Sequence, residues 1–180
     1  MTAIVGSEIK TRFSTTAGAA GNSGAGTNAG LGKYISTTDW AGGSLNDLFD
    51  DVSGAENAAS TVDYRCIFLS NTNGANPWQN AVAWLSAETA GGAAIAIGVD
   101  TTAASAVGSA SAQALIIANE TTAPAGVTFS SPTTQGAGIA LGTIPNGSCR
   151  AIWIRRTAAN TAALSGDGVT LTWTGDTGSL

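Results

Sequence analysis

The chain has 180 residues, of which 43% are apolar and 11% charged, with a formal net charge of −5 and no histidine. That length and apolar content can build one sizeable core, while so little charge leaves a surface of Thr, Ser, Asn and Gly that hydrogen-bonds rather than repels. Seven basic residues against twelve acidic ones exclude a phosphate-tracking nucleic-acid surface and disfavour an anionic membrane; without histidine, Ser-His-Asp and Cys-His triads are impossible.

Residues 1–44 differ from the rest and read as an extended N-terminal arm, with the folded domain at 45–180. The first six residues lack the basic and apolar regions of a secretory leader, which predicts synthesis in a cytoplasm, and no tract is long and apolar enough to span a membrane. Residues 8–13 suit a short strand. The tract 15–32 carries Gly18, Gly21, Gly24, Gly26, Gly30 and Gly32 among small residues and cannot bury enough side chain to fold alone. It is either a flexible linker or an arm lying across a neighbouring subunit, so removing residues 1–32 is expected to leave a folded sandwich. Residues 33–40 look strand-like and re-enter the fold.

Leu45, Leu48, Phe49 and Val52 recur at helical spacing after Ser44, with Asp47 three positions on, and predict a short helical or irregular plug. Strands follow. In 62–69, Val62, Tyr64, Cys66 and Phe68 share one face, while the other begins polar at Asp63 and Arg65 and turns apolar at Ile67 and Leu69. Both faces therefore need cover, as in a central sandwich strand. Residues 78–85 form the next predicted strand. In 93–99, Ile95, Ile97 and Val99 point inward and a face of Ala and Gly lets another layer approach. Further strands are predicted at 112–118, 127–129, 139–141, 148–156 and 168–174. In 148–156, Ile152 and Ile154 oppose Cys149, Ala151 and Trp153. Short strands separated by regular turn signals, with no long helix, predict an all-β fold: an antiparallel β-sandwich of jelly-roll or Greek-key type.

Reactive groups are sparse. Asp47, Asp50, Asp51 and Glu56 form an acidic group, but their spacing does not match the alternating oxygen ligands of a Ca²⁺ loop, and a solvated, capping or inter-subunit role fits better. Arg150, Arg155 and Arg156 could pair with these acids within the chain or across an interface. Trp84, Trp153 and Trp173 read as core, whereas Trp40 and Trp78 lie beside loops, where a subunit contact or a sugar-stacking platform is conceivable. The candidate contact residues are thus Trp40, Asp50, Asp51, Trp78, Arg155 and Arg156. No catalytic, metal-binding or cofactor-binding set emerges. Cys66 and Cys149 read as two buried thiols, with a disulfide the alternative.

Four stretches, LFDDVSGAENAA (48–59), DYRCIF (63–68), IANETTAP (117–124) and LGTIPNGSCRAIWIRR (141–156), resemble small β-sandwich virion structural proteins of tailed bacteriophages. The similarity covers about residues 45–175. It implies a non-enzymatic capsid decoration (cement) protein on the outer capsid surface, partnered by the major capsid protein of the same virion and assembled as a homo-oligomer, a trimer favoured. The alternative is a carbohydrate- or receptor-binding module of a phage tail or baseplate.

Overall fold

The computed structural model describes residues 3–17, 28–162 and 164–178. Among these residues, nine strands form two antiparallel sheets packed face to face. They are β1 (Ile9–Thr15), β2 (Tyr34–Asp39), β3 (Val62–Asn71), β4 (Trp78–Glu88), β5 (Ala94–Val99), β6 (Ser105–Ala106), β7 (Ile139–Ile144), β8 (Ser148–Thr157) and β9 (Val169–Thr177); one short helix, α1 (Gly54–Ala59), precedes β3. The larger sheet runs β2-β1-β3-β8-β5, with β6 also on β8, and the smaller runs β7-β4-β9. Every connection after β3, except the one from β5 to β6, passes from one sheet to the other. The expected β-sandwich is therefore present, built from pairings distant in sequence.

Strand β3 is central, with β1 on one side and β8 on the other, the latter in register from Val62↔Thr157 to Ser70↔Cys149. Its two faces join two separate cores. Ile67 and Leu69 meet Ile152, Ile154, Ile95 and Ile97 of their own sheet and Ala83, Leu85 and Leu141 of the opposing one. Cys66 and Phe68 point the other way and pack with Ile35, Cys149, Ala151, Trp153, Ala114 and Ile117. The opposing sheet covers one face and coil covers the other, which explains why this strand stays apolar on both.

That coil is where the predicted strand at 112–118 lies. It is not a ladder strand; only Ile116 makes a single bridge, to Gly32. Gln113, 1% exposed, fixes it from within, accepting from Ile35 N at 3.1 Å and donating to Ala106 O at 2.8 Å. The segment crosses over the sheet face, so its apolar residues gain cover without edge pairing. Residues 127–129 likewise form no ladder strand; a single bridge, Ile97↔Ser130, lies just beyond them. The layer expected against the small face of β5 is this segment: a Cβ on Gly98 would lie 2.6 Å from Thr128 O.

The strands expected at 8–13 and 33–40 are present as residues 9–15 and 34–39, and both belong to the larger sheet, so these parts of 1–44 do not form an arm. Residues 28–32 lie on that same sheet, where Gly30 O accepts from Cys66 N at 2.7 Å, whereas 18–27 are outside the described residues. Residues 45–52, expected as a short helical or irregular plug, are irregular, with Leu48 in the core and Phe49 packed against it, and the short helix lies just beyond at Gly54–Ala59. Ser53 caps it, accepting from Glu56 N at 3.2 Å while Glu56 reaches back to Ser53 N at 2.7 Å.

The tryptophans of β4 exchange their expected roles. Trp78 is 3% exposed in the core, while Trp84 is half-buried on the outer face of the smaller sheet. A bulge causes the exchange. Asn80 has φ of 50°, and the register with both neighbouring strands shifts between Trp78 and Val82. One extra residue reverses the side-chain parity, so Trp78, Ala81, Ala83 and Leu85 all point inward.

Candidate functional site

At one end of the sandwich the sheets splay around a cavity of about 1000 Å³. Its walls come from the inner faces of both sheets: Leu85 on β4, Ile95 on β5, Ile154 on β8, and Leu171 and Trp173 on β9. The loop 41–52 and residues 158–162 and 164–168 close over it, leaving Leu45 73% and Leu164 45% exposed at its mouth. Gly42 and Gly43 turn the first loop at φ of 67° and 87°, a region that favours residues without a Cβ. Asp167 anchors the second, accepting from Ala93 N at 2.7 Å.

Four of the six predicted contact residues, Trp40, Asp50, Asp51 and Arg156, line this cavity. Trp40 extends from the end of β2, its ring 6.3 Å from that of Phe13. Its indole N–H is buried without a hydrogen-bond partner, as is the hydroxyl of Thr11, which also lines the cavity. Trp78 and Arg155 lie elsewhere. Trp78 is enclosed in the core and offers no ring face to a ligand. Arg155 projects from the other face of β8, its guanidinium 5.3 Å from the centre of the Phe129 ring.

An ionic cluster reaches into the cavity wall through Asp50 and Arg156. Arg65, whose side chain is 0% exposed, binds Glu120 at 2.6 Å and lies 3.7 Å from Asp50. Arg156 binds Asp63 at 2.7 Å and lies 3.4 Å from Asp50; it also donates to the backbone carbonyl of Asp50. The ring of Phe49 lies against both guanidiniums, at 5.3 Å from Arg65 and 4.7 Å from Arg156. Arg65 Nε donates to Leu48 O at 3.2 Å. Two cations thus hold residues 48–50 against β3 and β8 and compensate three carboxylates, of which Asp63 is buried and Asp50 is 35% exposed. Of the three arginines expected to meet the acidic group, only Arg156 does so. Arg150 instead donates to Thr102 O.

Sequence reading missed Glu120, Asp63 and Arg65 as cluster members. The available signal was parity: Asp63 and Arg65 share a face with Ile67 and Leu69, and such a face is buried from end to end once a sheet packs on it. It also missed Asp100, which is 1% exposed and accepts from Trp153 Nε1 at 2.6 Å, Leu115 N at 2.9 Å and Thr102 N at 2.6 Å.

The acids do not act as a group. Asp50 faces the arginines, and Glu56 is committed to Ser53, whose backbone N–H and hydroxyl hold its carboxyl below the ordinary value. Among the described residues, no three His, Cys, Asp or Glu side chains are grouped to hold a metal ion. Cys66 and Cys149 are free and buried. Burial pushes the Cys66 thiol well up and that of Cys149 to about 12, so neither is a thiolate at neutral pH.

Compared with known proteins, the chain matches no family model, no curated protein and no solved structure.

Proposed function

We propose that this chain is a non-enzymatic structural protein of a tailed-bacteriophage virion, seated on the outer capsid surface as a homo-oligomer, with a trimer favoured and the major capsid protein as its partner. The observation that supports this most is the placement of its cations. Arg65 and Arg156 are buried in ion pairs, and Lys10 and Arg12 lie 4.0 and 2.8 Å from Asp39. Arg150 is turned to a backbone carbonyl. What remains outward carries the balance of a −5 chain, a surface that packaged DNA repels and that suits the outside of a shell. The sequence resemblance of residues 45–175 to virion β-sandwich proteins supports the same reading. Purified protein added to particles lacking it is expected to raise their resistance to heat and osmotic shock; particles equally robust without it would overturn the proposal.

A second reading, a carbohydrate- or receptor-binding module of a tail or baseplate, is favoured by Trp40 and Trp173, which both line the cavity. It requires that a glycan shift tryptophan fluorescence and that Trp40→Ala abolish the shift; no response to any host-surface oligosaccharide sinks it.

A further inference from the structure

The smaller sheet has three strands and faces a larger one of six. Its strand β9 pairs only with β4 among the described residues, so its other edge carries no ladder partner. Along β9 the inner-face residues Val169, Leu171 and Trp173 pack against the core yet stay half-buried, and all three line the cavity. Thr11, 7% exposed and with its hydroxyl unpartnered, lies in the same cavity. An open strand edge, an apolar trough beside it and an orphaned polar group within it together suit an extended peptide, which supplies backbone groups to the edge and alternate side chains to the trough.

Charge selects the guest. Within the cavity lining, Arg156 is committed to Asp63 and Asp50. Asp47 and Asp51 also line it, and Asp51 is exposed. A complementary segment therefore carries Lys or Arg beside its apolar residues. A second copy of this chain fits poorly. Among the described residues its basic groups face Asp39, Asp63, Glu120, Thr102 O or the Tyr34 and Phe129 rings.

We infer that the trough between β9 and the loop 41–52 is the surface by which this protein takes its partner, as an added strand of alternating apolar residues flanked by basic ones. This rests on the capsid-binding reading and names the contact within it: the partner segment belongs to the shell protein. The test uses the full chain and particles lacking it. Leu45→Asp with Leu164→Asp is expected to weaken particle binding by about tenfold or more, the scale of losing buried apolar anchors. Asp47→Lys with Asp51→Lys is expected to weaken it and to flatten its dependence on salt. The control Val107→Asp, at an exposed apolar site away from the cavity lining, binds as the parent does. Amide exchange at residues 169–177 slows on binding. If the parent binds no particle, the functional reading falls and this inference with it. If the parent binds, and the Leu45/Leu164 variant binds equally with no slowing in β9, only this inference falls. Loss of binding caused by free oligosaccharide would put a glycan in the trough and overturn the peptide.

Discussion

Arg65 has no exposed side-chain surface, and its guanidinium lies 2.6 Å from Glu120 and 3.7 Å from Asp50. Removing one partner of a buried pair leaves the others uncompensated, so Arg65→Met is expected to cost about 3–5 kcal/mol in urea unfolding. A loss under about 1 kcal/mol would mean that the cluster behaves like a surface pair. The two thiols make a second prediction. An unfolded cysteine ionises near about pH 8.5, whereas burial holds Cys149 at about 12 and Cys66 well above its ordinary value. The folded state keeps protons that the unfolded state has released, so this contribution is complete below the unfolded value and declines as pH rises through the folded one. Under reducing conditions the urea midpoint should fall between about pH 8 and about pH 10.5. A Cys66→Ala, Cys149→Ala variant should fall less steeply; equal slopes would assign the alkaline loss to other groups.

Among the elements, β5 shows how a neighbour decides the meaning of a residue. By strand propensity Gly98 is a weak point, and alanine there should stabilise. Here an added Cβ meets Thr128 O and Val127 Cγ1 at 2.6 Å, so Gly98→Ala is expected to destabilise by about 1–3 kcal/mol in thermal or urea unfolding. A gain in stability would show that the 127–130 segment is free to lift away. The alternation of Ile95 and Ile97 was legible because both faces obey a period of two, and so was the division of Ile152 and Ile154 from Cys149, Ala151 and Trp153. In β4 the same count fails at Asn80, where the bulge adds one residue and sends Trp78 inward and Trp84 outward. Nothing local in the sequence marks that step; asparagine at positive φ is common in turns as well.

At the scale of the molecule, β1 lies between β2 and β3 in the larger sheet, and Ile9 and Phe13 belong to the core. Deleting residues 1–32 therefore removes an interior strand and exposes the side of β3. The truncated chain is expected to lose cooperative unfolding and its near-ultraviolet circular dichroism, in contrast to the deletable arm that composition suggests. Retention of both would return residues 9–15 to the role of an appendage. The sequence by itself determined the class of fold, since alternating apolar residues and frequent turns leave few ways to bury them other than two packed antiparallel sheets. It also determined the acidic, histidine-free chemistry, which depends on composition alone. Only the tertiary structure decided that 112–118 crosses a sheet face as coil, and that Asp50, Asp63, Arg65, Glu120 and Arg156 form one cluster. The same holds for the cavity that gathers Trp40, Asp51 and Trp173. The reason is distance along the chain: a period of two reports which face a residue occupies, while contacts between residues 55, 93 or 106 positions apart depend on which strands become neighbours.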